Sequence, residues 1–151
     1  MPDTMTTAVI DLLGSEEMAS TAGIPIDRWR RRHVLDWQGP EAIGPSNAGR
    51  LPYISVRLLG EDYRHETAAP RGGTRLTTVR LYIAVGGFGS RLNQARQRLA
   101  ALADAASATI RSDPAFTIGD EQRGEPERRP YGWIQELQMT AETSYNSDYE
   151  C

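Results

Sequence analysis

The sequence predicts an α+β domain: a mostly antiparallel sheet with a long hairpin, and helices packed on one face. Three stretches predict it. From Arg75 to Val85, apolar residues fall on alternate positions, Val79, Leu81, Ile83 and Val85, with Thr78, Arg80, Tyr82 and Ala84 between them. A period of two is a strand with one buried face. From Ser90 to Arg111 the period changes. Leu92, Ala95, Leu99, Leu102, Ala106 and Ile110 recur in steps of three and four, opposite Arg91, Gln94, Arg98, Asp104 and Arg111, which is one apolar stripe on a helix. From Trp133 to Tyr145 the period of two returns. Trp133, Leu137, Met139, Ala141 and Tyr145 share one phase, and Glu136, Gln138, Thr140, Glu142 and Ser144 the other. A half-buried sheet under an amphipathic helix is a two-layer core.

The other elements follow in chain order. Thr4 to Met18 reads as a first helix, capped by Thr4, with Met5, Val9, Leu12, Leu13 and Met18 inward and Asp11, Glu16 and Glu17 in water. Gly23-Ile24-Pro25 ends it. Ile26 to Asn47 reads as a connecting segment pinned by Trp29 and Trp37, with Val34-Leu35 as a short strand. Leu51 to Leu59 is the first long strand, with Ile54, Val56 and Leu58 inward and Tyr53, Ser55 and Arg57 outward. Gly60 to Gly73 is a polar stretch that makes this strand and the next a hairpin with a long tip. Gly86-Gly87-Phe88-Gly89 breaks the second strand, Ser90 is placed to cap the helix, and Asp113-Pro114 ends that helix. Phe116 to Gly119 reads as a short strand, and Asp120 to Pro130 as a charged, solvated loop.

A chain of 151 residues suits a single domain spanning 1–151 and buries a core without disulfides or metal. Its hydrophobic fraction of 39% is slightly low, which suits long polar loops or a subunit that completes its burial against neighbours. The net charge of −3 is not that of a typical nucleic-acid binder. Every basic side chain is Arg and none is Lys, which first suggests a genome rich in G and C. The one cysteine, Cys151, forms no internal disulfide. No apolar run approaches twenty residues, so the expectation is a soluble chain made in the cytoplasm, with no membrane partner.

Reactive chemistry is sparse. Gly86-Gly-Phe-Gly-Ser90, between a strand and a helix, invites a phosphate-loop reading. It lacks the third glycine of a dinucleotide fingerprint, where Leu92 stands, and it lacks a lysine, so a tight turn is the better reading. His33 and His65 have no ligand spacing, and no cofactor is expected. His65 stands in Asp62-Tyr-Arg-His-Glu66, where an enzyme would have only Glu61, Asp62, His65 and Glu66 to work with. No serine or cysteine is paired with a His–Asp arrangement, so the expectation is a non-enzyme. Arg28-Trp-Arg-Arg-Arg-His33 is the one basic cluster. It reads as a small nucleic-acid-binding module that uses charge and stacking, as a contact for an acidic partner, or as the polar side of a short helix with Trp29 buried.

The layout resembles the tail terminator proteins of long-tailed bacteriophages. The stretches that carry the likeness are the N-terminal helix, the strand beginning at Leu51-Pro52, and the long hairpin from Tyr53 to Val85. The helix from Ser90 to Arg111 and the alternating strand from Trp133 to Tyr145 complete it. The resemblance covers most of the chain from Leu51 onward. It implies a virion protein that assembles as a hexameric ring on the tail tube, ends tube growth and meets the head connector, with DNA passing through its lumen. The segment from Ile26 to Asn47 is longer than the pattern expects, which leaves another neck or head–tail joining protein as the alternative. A head-to-tail ring would bury Tyr53, Arg57, Arg80 and Tyr82, with Arg64, His65 and Arg71 at the hairpin tip, against neighbours or partners. The two polar loops are expected to project, with Glu61, Asp62, Glu66, Glu121, Glu125 and Glu127 as acidic residues lining the channel.

Overall fold

The architecture is built on two long central strands, β3 (Gly72–Gly86) and β6 (Gly132–Asn146), paired antiparallel from Gly72↔Asn146 to Gly86↔Gly132. The structure is a computed structural model, and it describes residues 4–36, 50–65 and 72–146. β2 (Tyr53–His65) pairs antiparallel with the other side of β3, and β1 (Val34–Asp36) lies parallel on β2. Beyond β6, β4 (Thr117–Arg123) and β5 (Glu127–Arg129) follow one another along the same edge. The order β1-β2-β3-β6-β4, with β5 on β6, is the mostly antiparallel α+β sheet that the alternation predicts.

One face of the sheet carries the helices. α1 (Thr4–Leu13), α2 (Glu16–Ala22) and α4 (Leu92–Arg111) bury Val9, Leu13, Met18, Ala95, Leu99, Leu102, Ala106 and Ile110 against the sheet. Ile54, Val56, Val79, Leu81, Ile83, Val85, Leu137 and Met139 meet them from the strands. These residues share a face because Cα partners across an antiparallel pair point the same way, and Ile54↔Ile83, Val56↔Leu81 and Leu81↔Leu137 are such partners.

The first helix differs from expectation: it is two helices. Ser15 leaves the helix with φ −89° and ψ 161°, and its hydroxyl accepts the Met18 N–H at 3.2 Å. Glu16 and Glu17 then fill the positive first turn of α2. α2 ends where Gly23 adopts φ 74°, so that Gly23 N donates to Ser20 O and Ile24 N to Ala19 O. The connecting segment is more regular than its composition suggests. α3 (Ile26–Arg28) runs into a π-helical turn (Trp29–His33) and then β1, the short strand expected at Val34-Leu35. Trp37 lies outside the described residues.

Two loops are shorter than the sequence suggests. The β2–β3 ladder continues past a bulge between Leu59 and Glu61 to His65↔Gly73. Glu61, Asp62, Arg64 and His65 are therefore strand residues and not part of a hairpin tip; Glu66 and Arg71 lie outside the described residues. Main-chain pairing needs no apolar side chain, so charged residues did not mark the strand's end. In the same way, Asp120 to Pro130 is largely β4 and β5, with a bend between them. Polar, charged residues are what an edge strand tolerates.

The turn after β3 is tight, as read. Gly87, Phe88 and Gly89 all take positive φ, at 82°, 66° and 50°. Ser90 is not the cap: α4 begins at Leu92 after Arg91, with no side-chain cap, and Leu92 is 37% exposed and leaves the apolar stripe.

Candidate functional site

The face of the sheet that carries no helix among the described residues is where Tyr53, Arg57, Arg80 and Tyr82, singled out for contact, meet. The strand register lines them up in rows. Tyr53, Ala84 and Ile134 form one row; Ser55, Tyr82 and Glu136 form the next; Arg57, Arg80 and Gln138 form a third. The first row is not outward in the sense expected. Tyr53 and Ser55 are fully buried, and Leu35, Tyr53, Tyr82, Ala84 and Ile134 make a second small core, with Leu51 against it. Tyr53 is therefore a core residue of its own chain, not a contact for a neighbour. Burial pushes its phenol up to about 12, and its hydroxyl has no hydrogen-bond partner among the described residues.

The second and third rows are polar and tied together. Glu136 receives Arg80, whose Nε stands 3.0 Å from Oε1, and the Tyr82 hydroxyl, which donates to Oε2 at 3.3 Å. The Tyr82 phenol is raised first by burial and then by the Glu136 charge, against the lowering effect of Arg80. Arg57 is exposed beside them.

A bend between β4 and β5 walls one side of this face. Gly124 N donates to Glu136 O at 2.9 Å, and Gln135 Nε2 donates to Gly124 O at 2.8 Å. The chain turns over the sheet there and leaves a cleft of about 270 Å³ lined by Tyr82, Glu125, Glu127, Arg129, Ile134 and Glu136. Glu127 and Arg129 pair at 2.6 Å within it, and Glu125 lies 3.3 Å from Arg96 of α4. Its charged groups are paired within the chain. Among the described residues no three His, Cys, Asp or Glu side chains converge to hold a metal.

Glu121, grouped by sequence with the channel-lining carboxylates, is engaged elsewhere. On β4 it accepts the Ser107 hydroxyl and Arg111 from α4, and Arg123 beside it bridges to Asp104 at 2.8 Å. It fastens α4 to the sheet edge and is not available to line a channel. Glu125 and Glu127 remain on the surface.

The chain matches no protein-family model and no curated protein. No helix among the described residues is long and apolar enough to cross a membrane.

The basic turn divides its residues. Trp29 is fully buried, donates Nε1–H to Leu13 O at 2.7 Å and stacks on His33 with 5.8 Å between ring centroids. His33 is buried too, with Nδ1 2.7 Å from Arg50 O and 2.8 Å from Pro52 O. No aromatic ring of this turn is left for a base to stack on, which removes the stacking half of the nucleic-acid reading. Arg28, Arg30, Arg31 and Arg32 are exposed, as the short-helix reading requires.

Sequence reasoning missed Glu136 and Arg129. Glu136 was visible as the polar phase of the last strand, but its place beside Tyr82 and Arg80 depends on a register that one sequence does not fix.

Proposed function

We propose that the chain is a structural protein of a long-tailed bacteriophage virion, a tail terminator that forms a ring on the tail tube, ends its growth and joins it to the head connector. The observation that carries this reading is the long central sheet. A 13-residue β2, a 15-residue β3 and a 15-residue β6 pair side by side, with a 20-residue helix between β3 and β6 on one face. This is the hairpin, helix and last-strand order of the resemblance. The helix-free face supports it as well, because Arg57, Arg80 and Tyr82 there are of the types favoured in protein contacts. The partners are copies of the chain in a hexameric ring, the tail-tube protein, the head–tail connector, and DNA that passes without specific binding. The site of action is the virion neck, and no catalytic step is assigned.

Electron microscopy tests the reading. Purified protein added to tail tubes of the same virus is expected to cap one end with a six-fold ring and to stop elongation. Tubes that stay uncapped and keep growing refute it.

A further inference from the structure

The turn that leads into β1 exposes Arg28, Arg30, Arg31 and Arg32 and buries Trp29 and His33 beneath them. Tertiary structure adds a fifth arginine. His33 Nδ1 lies 2.7 Å from Arg50 O, so Arg50, half-buried, stands beside the turn. None of the five has an ion-pair partner among the described residues.

Two of these guanidinium groups are held in place through one nitrogen. Arg30 Nε donates to Gly14 O at 2.6 Å and Arg31 Nε to Asp27 O at 3.2 Å. The Arg30 stem also crosses Gly14 closely, since a Cβ there would stand 3.0 Å from Arg30 Cγ. A guanidinium fixed through Nε still offers its two Nη groups as a planar fork, the shape that grips two oxygens of one phosphate. No protein group among the described residues takes up these forks. Asp27 opens the turn, and Asp11 lines a small hollow with Arg30, but neither reaches ion-pair distance of an arginine there. They dilute the positive charge without occupying it.

The rest of the turn narrows the choice of occupant. Its large apolar side chain, Trp29, and the strand residues Val34 and Leu35 that follow are buried. A membrane surface holds a peripheral segment through an apolar face, and a protein partner is held through buried anchors; this turn presents neither. A row of phosphates is the partner for which charge and fork geometry suffice. The chain carries −3 in all and the four exposed arginines of the turn carry +4, so the rest carries −7. A polyanion is therefore repelled by the chain as a whole and attracted here, which favours one way of approach.

We infer that the Arg28–Arg32 turn grips the phosphodiester backbone of duplex DNA, without reading its bases. The contact stands apart from the tail-tube reading, which requires DNA only to pass.

The test is fluorescence anisotropy of a labelled mixed-sequence duplex, titrated with the full chain at about 0.05 M to about 0.2 M salt. The wild type is expected to bind with a log–log salt slope of about −2 to −4, about −0.9 for each phosphate contacted. Arg30→Gln with Arg31→Gln, and separately Arg28→Gln with Arg32→Gln, are each expected to make the slope shallower by about 2. The second pair holds no other part of the chain, so it serves if the first loses its circular dichroism spectrum. Arg30→Lys with Arg31→Lys keeps the charge and loses the fork; it is expected to bind several-fold more weakly at an unchanged slope. Asp27→Asn is expected to tighten binding. A wild type that binds no duplex at low salt, or glutamine variants with the wild-type slope, overturns the contact. So does a preference for one duplex sequence, or equal binding of polyglutamate or of phosphatidylserine vesicles. A chain that caps tubes and binds no duplex sinks this contact and leaves the virion reading standing; one that binds duplex through the turn and never caps tubes does the reverse.

Discussion

The indole of Trp29 closes the end of α1: its Nε1–H donates to the Leu13 carbonyl at 2.7 Å, with both residues fully buried. A helix end leaves carbonyls without intrahelical partners, and here the next residue helps as well, since Arg30 Nε donates to Gly14 O. Trp29→Phe keeps most of the volume and strands a buried carbonyl, an expected loss of about 1–3 kcal/mol. Trp29→Ala adds a cavity and is expected to lose about 3–5 kcal/mol. Urea denaturation followed by circular dichroism separates the two. A Trp29→Phe variant as stable as the wild type would mean that the hydrogen bond contributes nothing.

Tyr53 presents the opposite case, a buried polar group with no hydrogen-bond partner among the described residues. Tyr53→Phe removes an unsatisfied hydroxyl and keeps the ring, so it is expected to hold or raise stability, by up to about 1–3 kcal/mol. The alkaline limb carries a sharper signature. The folded phenol, at about 12, lies above its ordinary value of 10.0. A raised pKa contributes stability that is complete below pH 10 and lost as pH rises toward 12. The wild type is therefore expected to weaken across that window, and Tyr53→Phe to weaken less, in thermal unfolding at stepped pH.

What the sequence disclosed and what it hid divide along physical lines. Val79, Leu81, Ile83 and Val85 announced their strand because a sheet packed on one face must alternate. Leu99, Leu102, Ala106 and Ile110 announced their helix for the same kind of reason. Glu61 to His65 and Glu121 to Arg123 hid theirs, because edge and end segments of a ladder are held by main chain and carry no alternation. Gly14-Ser15-Glu16-Glu17 did carry a stop and a start, overshadowed by the apolar residues on either side. Arg98 looked like a solvated residue of the helix's polar side. In the fold it donates to Thr21 O at 2.6 Å and Ala22 O at 2.7 Å, capping α2 from another element, a contact that depends on tertiary placement.

Glu121 predicts an acid response. Burial alone would raise its carboxyl, but the Ser107 hydroxyl, Arg111 and the charge and hydrogen bond of Arg123 together hold it below the ordinary 4.5. A depressed pKa contributes stability that is present above the unfolded value and is lost as pH falls through the folded one. The wild type is therefore expected to lose stability below about pH 4.5 in part through this group. Glu121→Gln is expected to be less stable at pH 7 and to show a flatter fall on acidification. Paired denaturant curves at pH 7 and pH 3 measure both; parallel falls would show that the network does not couple to the titration.

Gly132 marks how closely the two central strands end. It pairs with Gly86, and a methyl group added at Gly132 would overlap the Val85 carbonyl oxygen. The obstruction is main chain, which does not swing aside as a flexible side chain does. Gly132→Ala is expected to push β6 away from β3 at this end and to cost about 1–3 kcal/mol, the usual range for forcing extra volume into a packed site. The Trp133 indole, which donates to Gly89 O at 2.9 Å across the same end, reports the displacement. Its indole proton is expected to exchange faster in the variant, and its fluorescence to shift to the red as water reaches the ring. Gly86→Ala is the control, because the nearest atoms a methyl there meets belong to the Leu51 side chain, at 3.3 Å. A chain in which both substitutions cost the same, with Trp133 unchanged in both, would show that the strands are free to separate at this end and that no close approach constrains Gly132.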